Sequence, residues 1–184
     1  MELNELINKR RSYRALKQTD IDEKKIYELA EAAKMAPSCF NYQPWRFVFV
    51  HNKAKLVELF DALSNGNEWA ENSSMMVAIF SDKKNDCIVG DRKYYLFDTG
   101  MAVGFMLLKA TELDLVTHLM AGFNSKKAKK ILKIPEEKNL IALMAVGKHA
   151  DDYSNLTDEQ IESEVNRPKR KKINEFVYLN EYEE

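Results

Sequence analysis

Met75-Met76-Val77-Ala78-Ile79-Phe80 is an almost unbroken apolar run, and its reading decides the fold. A strand with one wet face alternates polar and apolar residues, whereas a strand covered on both faces does not. The run therefore predicts a central strand with helices on either side. Leu140 to Val146, closed by Gly147, reads the same way; Arg46 to Val50 and Thr117 to Met120 read as further strands. Helical patterns lie between them. Ile26, Leu29, Ala30 and Ala33 form one apolar stripe, with Thr19 or Asp20 as its cap and Glu23 as the capping-box partner of Asp20. Asn52 to Leu63 carries another, through Leu56, Leu59, Phe60 and Leu63. Asp91 to Leu113 is apolar around most of its circumference, which predicts a helix buried on several sides. Leu3, Leu6 and Ile7 share one face of a short opening helix, and Asn124 caps a basic helix through Leu132. The fold class is α+β, a central sheet flanked by helices.

At 184 residues the chain fits one domain, 1–184, against roughly 150 residues per domain. Lys and Arg number 28 and Asp and Glu 29, a formal net charge of −1, which excludes bulk electrostatic binding of nucleic acid. The local basic runs, Lys126 to Lys130 and Lys169 to Lys172, read as solvated faces, so no nucleic-acid partner is expected. Tyr94 to Leu108 is the longest apolar stretch, but Asp98 interrupts it and it is short for a bilayer, so no membrane partner is expected. No leader pattern precedes Cys39 and Cys87, and they do not form a Cys-x-x-Cys pair; the expectation is a cytoplasmic protein with both thiols reduced. From His149 the chain is charged and polar until Ile173-Asn174-Glu175-Phe176-Val177-Tyr178. An apolar patch after a polar excursion predicts that 150–184 is an extended C-terminal arm that docks elsewhere, on a second subunit.

No dinucleotide fingerprint, phosphate-binding P-loop or nucleophile elbow is present. His51, His118 and His149 are too scattered to suggest a metal site, and none is expected. Two polar clusters remain. Arg10-Arg11-Ser12-Tyr13-Arg14 packs three guanidiniums and a hydroxyl into five residues. Guanidinium forks match phosphate oxygens bidentately, although spacing alone favours a solvated turn. Pro37-Ser38-Cys39-Phe40-Asn41-Tyr42-Gln43-Pro44-Trp45 is a loop between helix and strand, fit either to offer donors to a planar polar ring or simply to connect.

These two clusters, in this order, resemble the paired N-terminal signature of the nitroreductase family of FMN enzymes. The resemblance continues in Gly66-Asn67-x-Trp69, in Asp98-Thr99-Gly100-x-Ala102, and in Arg170 ahead of Ile173-Asn174-Glu175-Phe176-Val177. His118-Leu119-Met120-Ala121-Gly122-Phe123 resembles the His-x-Met-x-Gly-Phe form found in a compact subgroup. One departure is Asp114-Leu115-Val116-Thr117, where the family often has a Gly-Leu-Gly-Thr-like run.

The resemblance implies an intertwined homodimer with two FMN sites at its interface. Arg10, Ser12 and Arg14 would hold the phosphate, ribityl chain and pyrimidine edge, with Arg11 nearby and Arg170, with Lys169, adding charge at the phosphate. Pro37, Ser38, Cys39 and Asn41 would reach the same flavin from the partner subunit. Asn67 would meet the polar edge of the ring, and Met120, Ala121 and Gly122 would line it. The implied activity is hydride transfer from NADH or NADPH to FMN and on to a small-molecule acceptor such as a nitroaromatic or quinone, in a ping-pong scheme. The alternative is an FMN-binding sensor or carrier without efficient turnover, its acceptor access blocked by Phe40, Tyr42 or the tail. No side-chain acid or base is required when a cofactor carries the redox chemistry, so no catalytic residue is assigned.

Overall fold

The computed structural model describes residues 2–182 and builds five strands into one antiparallel sheet. The strands are β1 (Leu16–Lys17), β2 (Trp45–Val50), β3 (Met75–Ser81), β4 (Val116–Met120) and β5 (Asn139–His149). The helices are α1 (Leu3–Lys9), α2 (Glu23–Lys34), α3 (Lys53–Phe60), α4 (Tyr94–Glu112), α5 (Ser125–Leu132) and α6 (Asp158–Val165). β3 and β5 pair from Met75↔Val146 to Ser81↔Asn139; β2 flanks β3, β4 flanks β5, and β1 pairs with Lys148 and His149.

Two cores form on the two faces of this sheet. Met76 and Ala78 pack with Leu56 and Leu59 of α3 and Ala128 of α5, while Met75, Val77 and Ile79 pack with Leu29 and Ala33 of α2 and Ala102, Val103 and Met106 of α4. Successive β3 side chains thus enter different cores, which is why the run carries no polar alternation. Full burial of a side chain such as Leu59, Ile79 or Met106 contributes about 1.5–3 kcal/mol each.

Several boundaries differ from the sequence reading, for local reasons. Asp22, not Thr19 or Asp20, caps α2 by accepting the Lys25 N–H at 2.8 Å. Thr19 is engaged elsewhere, its N–H donating to Ser74 Oγ at 2.7 Å. β5 continues past Gly147 to His149, since β1 extends the pairing there. A side chain at Gly147 would start 3.2 Å from the Lys17 carbonyl oxygen, so the glycine admits β1 rather than ending the strand. In α4, Met106 is fully buried in the chain's own core, whereas Phe97 and Phe105 point outward, at 59% and 43% exposure. α1 buries none of its residues.

Within the expected 150–184 arm, α6 packs back on the domain through Glu164, which is buried. Residues 165–182 are exposed throughout, among them Ile173, Phe176, Leu179 and Tyr182; Glu183 and Glu184 lie outside the described residues. Lys129, in the basic run, is buried and spends its charge locally, donating to the Glu136 carbonyl at 2.8 Å. Among the described residues no helix is long and apolar enough to cross a membrane.

Candidate functional site

Arg10 closes α1, its N–H reaching the Leu6 carbonyl at 3.0 Å, and residues 10–14 run on as an irregular segment. A cavity of about 240 Å³ opens there, lined by Arg10, Arg11, Ser12, Arg14, His118, Ser163, Arg167, Pro168 and Arg170. The Arg10 guanidinium donates to Ser12 Oγ at 3.3 Å. Arg167 donates to the carbonyls of Asn8 at 2.5 Å and Arg10 at 3.2 Å. Burial lowers the Arg10 pKa, and the charges of Arg167 and Arg170 lower it further. No salt bridge among the described residues involves Arg10, Arg14, Arg167 or Arg170. A group of guanidiniums without a carboxylate partner, with Arg10 partly desolvated and Arg167 and Arg170 exposed, is a site that gains from a phosphate dianion, and it fits the phosphate end of a flavin mononucleotide.

His118, on β4, borders this cavity half-buried. Its Nδ1–H donates to the Tyr13 carbonyl at 3.2 Å, and its ring lies 4.6 Å from that of Trp69. Desolvation, and then the Arg14 charge, push its pKa down to about 4, against the pull of the Tyr13 and Ser12 carbonyls. It is therefore a neutral wall of the cavity at neutral pH.

Arg11 lines the cavity but turns its terminal nitrogen away, donating to the carbonyls of Ser163 and Glu164 at 2.7 Å each, at the end of α6. Lys169 is not part of the lining; Arg170 is. A cavity of about 340 Å³ that shares Arg11 also contains Lys9, Lys17 and Lys148. There Asp114 already holds Lys9 at 3.2 Å and Lys148 at 3.0 Å, which leaves it a weaker anion site.

Pro37, Ser38, Cys39 and Asn41 stand together on the loop between α2 and β2, apart from the arginine cavity. Phe40, Asn41 and Gln43 all have positive φ, at 48°, 56° and 48°, a conformation that non-glycine residues adopt at a cost of about 1 kcal/mol or more each. The loop is held from several directions. Ser38 Oγ accepts the Gln43 N–H at 3.0 Å, and Asp98 of α4 accepts the Cys39 N–H at 3.2 Å. Burial raises the Asp98 pKa, an effect opposed by that N–H. Cys39 is also disulfide-bonded to Cys87, which corrects the expectation of two reduced thiols. The two Cα atoms are 6.0 Å apart, inside the usual span of a disulfide, and sequence distance gave no hint of it. Phe40 and Tyr42 project from this loop, 78% and 50% exposed.

Asn67 and Gly122 form a third group. The Asn67 amide donates to the Gly122 carbonyl at 2.9 Å, and the same oxygen accepts the Ser64 N–H at 3.1 Å. Ala121 is exposed beside them, whereas the Met120 side chain is buried in the α3–α5 core. Arg167, Glu164 and the pairing of Cys87 with Cys39 are absent from the sequence reading. Only Arg167 carried a signal, the basic residue before Pro168 in a tail already rich in cations.

With this geometry in hand, the comparisons with known proteins agree. The nitroreductase family model matches residues 7–73 and 65–148. An NADH dehydrogenase of Thermus thermophilus is 25% identical over 175 residues, covering 78% of this chain and 85% of that one. A nitroreductase family protein from Clostridium novyi superposes with a TM-score of 0.76 at 31% identity, over 86% of this chain and 89% of the other. A crystal structure described as an oxidoreductase containing FMN superposes with a TM-score of 0.87 at 26% identity, over 100% and 94% of the two chains. Two separate polar clusters, a doubly covered antiparallel sheet and these matches together lead to one assignment: the chain belongs to the nitroreductase family.

Proposed function

We propose that this protein is an FMN-dependent NAD(P)H oxidoreductase that reduces a small acceptor such as a nitroaromatic or quinone. The observation that carries the reading is the cavity where Arg10, partly desolvated, meets Arg14, Arg167 and Arg170 with no salt bridge to an acidic side chain. Bound FMN would supply the hydride chemistry that links donor to acceptor; the chain's own residues hold and orient it. Arg10, Ser12 and Arg14 hold the phosphate end, joined by Arg167 and Arg170, and Lys169 adds charge from the exposed tail. Asn67, Ala121 and Gly122 meet the ring's polar edge, with Met120 limited to a backbone contact because its side chain is buried. Donor and acceptor take turns at the same exposed face, in a ping-pong scheme.

A homodimer completes the site in this reading. Pro37, Ser38, Cys39 and Asn41 are not beside the arginine cavity of their own chain, so a second subunit must supply them. The outward Phe97 and Phe105 and the exposed arm residues Ile173, Phe176 and Leu179 offer the apolar surface for that contact. The cytoplasm, where reduced nicotinamides are made and used, is the compartment of this reading, against the Cys39–Cys87 disulfide, a bond rare in that compartment.

The exposed Phe40 and Tyr42 favour a second reading, a flavin carrier in which they restrict the acceptor. An anaerobic visible spectrum of the FMN-reconstituted protein separates the two. Bleaching of bound-flavin absorbance on addition of NADH or NADPH, followed by recovery with a quinone, supports the oxidoreductase. Bound flavin that neither donor reduces supports the carrier, and absence of bound flavin rejects both.

A further inference from the structure

α6 ties together two of the three site groups. Glu164 is buried, and its Oε1 accepts the Arg14 backbone N–H at 2.6 Å. Arg11 caps the carbonyls of Ser163 and Glu164 from the other direction, its guanidinium 4.8 Å from the centre of the Tyr13 ring. Arg167, just beyond α6, binds the carbonyls of Asn8 and Arg10. At the start of the helix, Gln160 donates to the Gly66 carbonyl at 3.0 Å, beside Asn67. Of the side chains making these bonds, Arg167 also lends its charge to the cavity, and together the bonds fix the backbone from which Arg10 and Arg14 reach it.

A buried carboxylate with no cationic hydrogen-bond partner is costly unless its oxygens are used. Glu164 uses one oxygen on Arg14; the other has no hydrogen-bond partner and lies 3.7 Å from His149 Nε2, which also has none. One oxygen is thus employed on backbone direction, while the other faces His149 and forms an ion pair only when that imidazole carries a proton. A cation at position 164 would serve phosphate affinity better by charge alone, so the residue's value lies in geometry.

We propose that Glu164 is a positioning residue for the flavin phosphate, holding segment 10–14 so that Arg10 and Arg14 converge with Arg167 and Arg170 on one dianion. This rests on the FMN reading above and deepens it. The expected signature is specific to the phosphate, because riboflavin has the same ring without it.

The test titrates the full-length apoprotein with FMN and, separately, with riboflavin, following flavin fluorescence. The wild type binds FMN more tightly than riboflavin. Glu164→Ala and Glu164→Asp, which remove the acceptor or shorten its reach, lower that FMN-to-riboflavin preference by about tenfold, the scale of one charged hydrogen bond. Glu164→Gln keeps an acceptor oxygen in place and retains the preference. Should the alanine variant fail to fold, the aspartate variant carries the comparison. Equal weakening of both flavins, an unchanged preference in the folded variants, or loss of the preference in Glu164→Gln overturns the positioning role. A wild type that binds FMN no better than riboflavin overturns the phosphate cavity on which it acts. Binding of neither flavin by the wild type rejects the cofactor reading itself, and the inference with it.

Discussion

The Asn67 side-chain amide and the Gly122 backbone are in direct contact: Nδ2 donates to the Gly122 carbonyl at 2.9 Å, and a Cβ built on Gly122 would lie 2.7 Å from that nitrogen. The glycine is thus fixed by close approach, since its backbone conformation is one that other residues adopt. In Gly122→Ala the amide must rotate away, and the lost hydrogen bond costs about 1 kcal/mol of stability. Equilibrium urea unfolding at neutral pH checks the cost. In the proposed function the same change withdraws Asn67 from the ring's polar edge, so flavin affinity falls as well; a variant with wild-type affinity would remove Asn67 from the site.

The Cys39–Cys87 bond joins residues 48 apart. Chain-entropy arguments put the stabilisation from a closed loop of that length at about 4 kcal/mol, an upper figure because unfolded chains retain structure. Cys87→Ser, measured without reductant, is expected to lower the unfolding free energy by about 2–4 kcal/mol. Dithiothreitol should shift the wild-type unfolding midpoint in the same direction and leave the variant where it is. A wild type indifferent to dithiothreitol would mean that the thiols are free in solution.

Legibility in the sequence followed the range of the forces involved. The β3 run was readable because covering both faces of a strand leaves a local apolar signature, and the Asn124 cap was readable because a side chain and an N–H three residues on decide it. The Asp22 cap was not legible because Thr19, Asp20 and Asp22 are all good capping residues, and only the start of α2 at Glu23 puts the Asp22 carboxylate on the Lys25 N–H. At the site, the Arg10–Arg14 cluster stood out as a local concentration of charge. Arg11's turn toward α6, Glu164's bond to Arg14 and the disulfide join residues 48 to 153 positions apart, and no local pattern records such pairings. Asp114 shows the intermediate case. It stands where the family often has glycine, and its φ of 57° is the left-handed conformation a glycine would take freely; its ion pairs with Lys9 and Lys148 offset part of that cost.

His118 should make stability fall on the acid side. Its folded pKa, about 4, lies below its ordinary value, so below about pH 6.5 the unfolded chain binds a proton that the folded chain refuses. Stability from this group is complete above that pH and declines until about pH 4, where the folded state also protonates. By about pH 5 the loss is at most about 2 kcal/mol. Asp98 acts with the opposite sign: burial raises its pKa, so acidification relieves a strain that is present at neutral pH. Comparison with His118→Asn isolates the histidine. Denaturant unfolding at about pH 7.5 and about pH 5 is expected to show a smaller pH penalty in the variant than in the wild type; equal penalties would place the acid sensitivity elsewhere.

Adjacent residues of α4 should respond to substitution in different ways. Met106 is fully buried between α4 and the sheet, whereas Phe105 is 43% exposed on the outer side. Met106→Ala leaves a cavity inside one chain and is expected to cost about 2–5 kcal/mol of stability. That cost persists at every protein concentration. Phe105→Asp removes apolar surface from the face assigned to the partner subunit and puts a charge there, so it should weaken association. An obligate interface of more than about 2,000 Å² tolerates a buried unpaired carboxylate poorly. Light scattering across a dilution series reads the difference: a species of half the mass grows in on dilution of Phe105→Asp, while Met106→Ala keeps the wild-type mass as long as it is folded. If Phe105→Asp also keeps that mass at every dilution, the outer face of α4 does not form the dimer. The loop of Cys39 and Asn41 would then have to meet the arginine cavity by another surface.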